Sequence, residues 1–203
     1  MKVLSPFGPK IAVLKIPKSI IKKINDEFKK IIKDKNLTKK NDYSKKLVGQ
    51  VKQEIELSSS FINKNLKKFI NQNINKFLQS SLNKKTKKIN IKNLWIVRQF
   101  KNEYNPIHYH SGHISGVGYL KVPENMGETY QKDKSTNHNG KLVLIDGSKK
   151  LFSTPTFPIS PKIGDFYLFP SYMMHTVYPF SGTDEERRSV SFNARIDEKA
   201  AAL

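Results

Sequence analysis

The chain changes character near residue 85, and this change limits the available folds more than any other feature. Before it, apolar residues recur at helical spacing in two long stretches that are separated by lysine-rich sequence. Beyond it, short β-like runs alternate with turn signals. Helices followed by strands predict an α+β fold, in which the helices buttress a largely antiparallel sheet or barrel.

The N-terminal stretch predicts a strand and then an amphipathic helix. Residues 11–16 form the predicted strand, which Pro17 ends. Pro17 and Ser19 sit where a helix begins. The apolar residues that follow at helical spacing are Ile20, Ile21, Ile24, Phe28, Ile31 and Ile32. The polar, lysine-rich residues 33–46 are predicted as a loop.

A second helical stripe follows the serines at 58–60, which offer N-cap hydroxyls. Its members are Phe61, Leu66, Phe69, Ile70, Ile74, Phe77, Leu78 and Leu82. A stripe of this composition and period indicates core packing rather than a ligand site. Strands are then predicted at 89–100, 114–122, 141–146, 164–170, 174–179 and 187–196. There is no internal repeat and no Gly-rich phosphate loop, since Gly116 and Gly118 form an isolated pair.

Length and composition are consistent with one globular domain. A chain of 203 residues can bury a sizeable core. The absence of cysteine excludes disulfides and thiolate metal sites. No apolar run has the length of a membrane span, so we expect no membrane partner and a cytoplasmic location. Residues 199–203 resemble an expression scar.

The formal net charge of +20 raises the possibility of nucleic-acid binding. Only four of the 37 basic residues are arginines, and the lysines fall mostly before residue 90 among many Asn and Ile. AT-rich coding sequence would produce this composition without selection for binding. Solvated helix faces therefore account for most of the charge, and nucleic acid is a possible but not the favoured partner.

Residues 104–119 hold three of the five histidines. His108 and His110 are two residues apart, so in an extended run both imidazoles point to one face. Neutral imidazole is a common ligand of transition metals, and two on one face can share an ion. His175 is the clear candidate for a third ligand. It follows a predicted strand and a turn that begins at Pro170.

The last predicted strand has two distinct faces. Arg187, Ser189, Ser191 and Asn193 share one face, and Arg188, Val190 and Phe192 share the other. A guanidinium followed by a hydroxyl two residues later is suited to clamp a carboxylate. The alternative for Arg187 is an ion pair with Asp184, Glu185 or Glu186.

Together these motifs resemble the iron(II)- and 2-oxoglutarate-dependent oxygenases, specifically the prolyl-hydroxylase-like members of bacteria and phages. The resemblance covers roughly residues 90–196. It implies a double-stranded β-helix, or jelly-roll, core buttressed by two or more N-terminal helices. It further implies a single oxygenase domain over 1–198, with 1–88 as mainly helical support and 89–198 as the jelly-roll core.

The resemblance also implies roles for individual residues. His108, His110 and His175 match the iron ligands, and Arg187 with Ser189 matches the co-substrate carboxylate clamp. Tyr104 and Tyr119 are expected near the co-substrate, with ordinary aromatic packing as the alternative for each. Many relatives carry a carboxylate where this chain has His110. His113, an open position or a distant carboxylate such as Asp146 are therefore alternatives for the third ligand.

The implied activity is hydroxylation of a peptide or protein side chain, with prolyl residues first by analogy. Iron(II), 2-oxoglutarate and dioxygen are the implied cofactors and co-substrates, with ascorbate as a possible support. Alternatives are a cupin-like metal-binding module without oxygenase activity and an oxygenase directed at nucleic acid. The loops at 33–46 and 124–139 are predicted as lids.

Overall fold

The computed structural model describes residues 1–4, 8–129, 131, 133–147, 149 and 151–197. The expected scar at 199–203 lies outside the described residues, and the division of the chain at residue 88 stays a prediction. The helices are α1 (Lys18–Lys33), α2 (Lys35–Lys40), α3 (Ser59–Asn65) and α4 (Lys67–Leu82). The strands are β1 (Lys2–Leu4), β2 (Ile11–Lys15), β3 (Gln53–Glu56), β4 (Ile89–Gln99), β5 (Asn105–His108), β6 (Ile114–Lys121), β7 (Leu142–Ile145), β8 (Thr156–Ile159), β9 (Asp165–Pro170), β10 (Met174–Val177) and β11 (Arg187–Ile196).

The strands form two sheets. The large sheet has seven strands in the order β1-β2-β9-β6-β11-β4-β3, and the small sheet has four in the order β5-β10-β7-β8. Neighbouring strands run antiparallel, for example β11 between β4 and β6. All strands but β1, β2 and β3 begin beyond residue 88, so the α+β prediction is confirmed.

Two layers of apolar packing surround the large sheet. On one face, Ile24 and Phe28 of α1 and Ile74 of α4 pack with Val190 and Phe192 of β11. A second cluster lies between the two sheets, and its members are Ile11, Val117, Tyr119, Leu142, Leu144, Ile159, Tyr167, Phe169 and Met173. Each fully buried aliphatic or aromatic side chain stabilises the fold by about 1.5–3 kcal/mol. The site described below lies on the same side of the large sheet as this second cluster.

Some local predictions were wrong, for local reasons. The stretch 33–46 is not a plain loop, because the Asp34 carboxylate accepts hydrogen bonds from the backbone N–H groups of Asn36 and Leu37 and starts α2. The stripe from Phe61 to Leu82 belongs to two helices that are separated at Leu66, where φ is −120°. Ser58 caps the first of them, as predicted, by accepting a hydrogen bond from the Phe61 N–H. None of the described helices is long and apolar enough to cross a membrane.

Candidate functional site

Three histidines from the small sheet and its edge converge on one point. His108 of β5 is the register partner of His175 of β10. His110 lies two residues past His108, beyond the end of β5, and its N–H donates to the Ser171 carbonyl at 2.9 Å. The candidate ligand atoms of the three imidazoles all lie within 4.8 Å of one another. The strand pairing thus brings together residues that are far apart in sequence.

Backbone carbonyls orient two of these rings. His108 Nδ1 lies 2.7 Å from the Pro106 carbonyl oxygen, and His175 Nδ1 lies 2.9 Å from that of Met173. A carbonyl can only accept, so each Nδ1 carries the proton and each Nε2 keeps its lone pair for a metal. This is the outer-shell arrangement that orients metal-binding histidines. The donor set therefore fits a divalent first-row transition metal.

Burial keeps the three imidazoles neutral. It lowers the pKa of His108, although the bond to Pro106 opposes the shift. Burial and the nearby His108 lower the pKa of His110 to about 4 and that of His175 to about 3. Aromatic edges shield the cluster, because the Trp95 ring centroid lies 5.7 Å from that of His110 and the Phe169 centroid 5.3 Å from that of His175.

Arg187 is a buried cation with free hydrogen-bonding capacity. Its side chain is 1% exposed, and its Nε and Nη2 have no hydrogen-bond partner among the described residues. Its Cζ lies 5.1 Å from the centroid of the Tyr119 ring, and the Tyr119 hydroxyl likewise lacks a partner there. Burial lowers the pKa of Arg187 and raises that of Tyr119, while each group opposes the shift of the other. An unpaired buried guanidinium is costly, so this one fits an anionic ligand.

The ion pair considered for Arg187 is made by its neighbour instead. Arg188 Nη2 lies 2.6 Å from Glu186 Oε2, and Arg98 Nε lies 3.0 Å from Glu186 Oε1. Arg188 projects from the opposite face of β11, where its guanidinium lies 4.3 Å above the Phe28 ring of α1. The two faces of β11 thus separate a structural ion pair from a cation that has no ion-pair partner among the described residues.

One cavity of about 130 Å³ joins these groups. Its walls include the three histidines, Arg187 and Ser189. A cavity with a metal-binding cluster at one wall and a guanidinium at another can hold a ligand that has an anionic end and a metal-chelating end.

Other predicted site residues lie around this cavity. Tyr119 is fully buried behind Arg187. Tyr104 is 43% exposed and is not part of the lining; its backbone pairs with Gln50. Among the described residues, neither His113 nor Asp146 belongs to the histidine cluster. His113 Nδ1 instead accepts a hydrogen bond from the Ile196 N–H.

Comparison with known proteins identifies the family. The family model of the 2OG-Fe(II) oxygenases matches residues 93–193, which carry the three histidines and Arg187. The chain belongs to the iron(II)- and 2-oxoglutarate-dependent oxygenases. This oxygenase family uses iron(II), 2-oxoglutarate and dioxygen. A search of curated protein sequences gives no significant match.

Solved structures share the fold of this oxygenase at low sequence identity. A viral collagen prolyl hydroxylase from Paramecium bursaria Chlorella virus-1, in complex with 2-oxoglutarate, has a TM-score of 0.54 at 15% identity, with 91% of this chain and 94% of that chain covered. A prolyl hydroxylase from Trichoplax adhaerens was solved in complex with a peptide fragment of the hypoxia inducible factor oxygen degradation domain. It has a TM-score of 0.56 at 14% identity, with 95% of this chain and 86% of that chain covered. HygX from Streptomyces hygroscopicus, with nickel, 2-oxoglutarate and hygromycin B bound, has a TM-score of 0.56 at 11% identity, with 91% of this chain and 82% of that chain covered. These likenesses confirm the double-stranded β-helix and do not identify a substrate.

Sequence reasoning missed one wall of the cavity. Leu47, Val48 and Gly49 line it, as does Glu54 of β3. Of the two predicted lids, residues 33–46 contribute only Lys46 to the lining, and the described residues of 124–139 contribute none. The alternation of Ile55 and Leu57 with Glu54 and Glu56 was the available signal for β3.

Proposed function

We propose that this oxygenase hydroxylates a side chain of a peptide or protein, with a prolyl residue as the first choice. In this reaction 2-oxoglutarate and dioxygen are converted to succinate and carbon dioxide while the substrate gains one hydroxyl group. The observation that carries the proposal is the unpaired, buried Arg187 guanidinium that shares a cavity with three neutral imidazoles. A cupin-like metal-binding module has no need of such a cation.

The residues of the site have distinct proposed roles. His108, His110 and His175 hold iron(II) through their unprotonated ring nitrogens. Arg187 and Ser189 bind the distal carboxylate of 2-oxoglutarate, because a guanidinium and a hydroxyl on one strand face supply convergent donors. Tyr119 adds its hydroxyl beside Arg187, whereas Tyr104 does not line the cavity and pairs with Gln50 through its backbone. Bound iron supplies the activation of dioxygen.

The walls of the site also restrict the access of water. Phe169 and Trp95 pack their ring edges against His175 and His110. The segment 47–49 covers the cavity on the side of β3. Exclusion of water strengthens the charge interactions of Arg187 and protects the reaction from side products. The two strands that carry His108 and His175 keep the ligand positions rigid.

A peptide substrate is supported by the fold likeness to prolyl hydroxylases, of which one is a collagen prolyl hydroxylase and another was solved in complex with a peptide fragment. The test is succinate formation from 2-oxoglutarate by purified protein with iron(II) and ascorbate. The assay is run without substrate and with proline-containing peptides, hygromycin B or oligonucleotides. We expect iron-dependent succinate that a peptide stimulates and that His175→Ala abolishes. Stimulation only by hygromycin B or an oligonucleotide would reject the peptide, and no iron-dependent turnover would reject the oxygenase assignment.

A further inference from the structure

Glu54 faces the same cavity from the edge of the large sheet. In the strand register, Tyr119, Ser189, Val97 and Glu54 form one row across β6, β11, β4 and β3. Adjacent strands lie about 4.8 Å apart, so Glu54 sits roughly 10 Å from Ser189 across the sheet. Its neighbour Ile55 points to the opposite face and packs in the helix-covered core. Glu54 therefore borders the part of the cavity beyond the reach of a carboxylate held by Arg187.

The Glu54 carboxyl is buried and incompletely paired. The residue is 1% exposed, and its Oε2 has no hydrogen-bond partner among the described residues. The carboxyl lies against the backbone of Gly49, where an added Cβ would come within 3.0 Å of Oε1. A buried carboxyl without partners is unfavourable in its charged form. Burial and the nearby Asp42 accordingly raise the pKa of Glu54 to about 7.

The charged groups that line the cavity lie at its two ends. Arg187 makes one end positive, whereas the other end carries the Glu54 carboxyl, with the exposed Asp42 carboxylate nearby. The Ser44 N–H and hydroxyl lower the pKa of Asp42, so this carboxylate stays ionised. Lys46 also lines the cavity, but its Nζ lies 4.8 Å from the Tyr43 ring centroid and makes no ion pair with Glu54 in the described residues. Within the described part of the chain, no lysine or arginine pairs with Glu54.

We propose that Glu54 forms a cation subsite, which selects a substrate bearing an ammonium or guanidinium group next to the position that is hydroxylated. The subsite rests on the proposed function, since 2-oxoglutarate is expected to fill the Arg187 end. A bound cation supplies the hydrogen-bond donor and the positive charge that Glu54 lacks. A charge-assisted hydrogen bond in a buried site is stronger than a neutral one, so the charge of the ligand decides its affinity.

The chain carries its own reporter for this test. Trp95 is the sole tryptophan, lines the cavity and belongs to β4, next to β3. Its fluorescence is followed while zinc-loaded protein with 2-oxoglutarate is titrated with N-propylguanidinium or with its neutral isostere N-propylurea. We expect the cation to bind at least about tenfold more tightly than the urea, as for one charge-assisted hydrogen bond.

Two variants test whether the preference for the cation depends on Glu54. Glu54→Gln keeps the shape and removes the charge, and we expect it to abolish the preference for the cation. Glu56→Gln makes the same change on the same strand outside the cavity lining, and we expect it to keep the preference. Melting curves establish that both variants are folded.

Equal binding of the two probes, detectable binding of neither, or a preference that persists in Glu54→Gln would each overturn the cation subsite. The titration is repeated without 2-oxoglutarate, and binding of 2-oxoglutarate to the zinc protein is measured separately. Failure of 2-oxoglutarate to bind counts against the proposed function, whereas loss of the cation preference counts against the subsite alone.

Discussion

His108 and His175 face each other as register partners on neighbouring antiparallel strands, with their ring centroids 4.2 Å apart. Each ring is fixed by a carbonyl two residues earlier in its own chain segment. The small sheet therefore sets the spacing of two proposed metal ligands. Neither ring belongs to the helix-covered core, so we expect replacement of either one to remove a proposed ligand and leave that core intact.

Replacing His175 with alanine should abolish metal binding. The change removes one of three imidazoles, and the remaining two hold a first-row metal much more weakly. Metal content after dialysis against iron(II) or nickel(II) measures the effect. His113→Ala is the matched control, because His113 lies outside the cluster and we expect this variant to keep wild-type metal content. Retention of one equivalent of metal by His175→Ala would contradict the assigned ligand set.

Replacing Arg187 with methionine should weaken 2-oxoglutarate binding by about tenfold or more while metal content stays near wild type. A hydrogen bond to a charged group contributes roughly 1.5–3 kcal/mol, and methionine fills similar space without donors. The concentration of 2-oxoglutarate at half-maximal turnover measures the change. Arg195→Met, on the same strand but exposed, should behave as wild type. An unchanged dependence on 2-oxoglutarate in Arg187→Met would disprove the clamp.

Glu54 should make the protein less stable as the pH rises. Its folded pKa of about 7 exceeds the usual value of 4.5, so its contribution is complete below pH 4.5 and is lost as the pH rises through 7. The shift corresponds to roughly 3 kcal/mol in the free energy of unfolding. Chemical denaturation of the ligand-free protein at pH 5 and pH 8 measures the loss.

Glu54→Gln should remove this part of the pH dependence and be relatively stabilised at pH 8. Glu56→Gln serves as the control and should retain the wild-type slope. If Glu54→Gln and wild type lose the same free energy between pH 5 and pH 8, the raised pKa is refuted.

Replacing Glu186 with glutamine should destabilise the fold by about 3–5 kcal/mol, because two partly buried guanidinium groups lose their shared carboxylate. Arg98 and Arg188 lower the pKa of Glu186, although burial opposes them. Its stabilisation is therefore present above the unfolded pKa and is lost as the pH falls through the folded value. Urea unfolding at pH 7 measures the cost, with exposed Glu185→Gln as the control. A cost within error of that control would argue against a structural role for this ion pair.

The strand that carries Arg187 was predictable from sequence because its alternation is complete. Val190 and Phe192 face the helix-covered core, and Arg187 and Ser189 line the cavity. His108 and His175 were predictable as a pair from their flanking strands. The two-residue spacing from His108 indicated the direction of His110, whereas the hydrogen bond from the His110 N–H to the Ser171 carbonyl could not be read from the sequence.

The wall formed by β3 was not predictable in the same way. Glu54 and Glu56 make this four-residue strand too polar to stand out, and its edge position depends on pairing with β4. The segment that covers the site is held by the pairing of Gln50 with Tyr104, a contact between distant backbone groups. The lysine-rich composition of residues 33–46 led to the prediction that they form a lid. Such a composition indicates exposure to solvent and does not indicate proximity to a site.

The central claim is that one cavity holds iron(II) and 2-oxoglutarate together. Anaerobic titration of the iron(II)-loaded protein with 2-oxoglutarate tests it through an absorption band that requires both the metal and the 2-oxo acid. We predict a saturable band in the wild type, saturation at about tenfold or more higher concentration in Arg187→Met, and no band in His175→Ala. Absence of the band in the wild type, or its persistence in His175→Ala, would contradict the account.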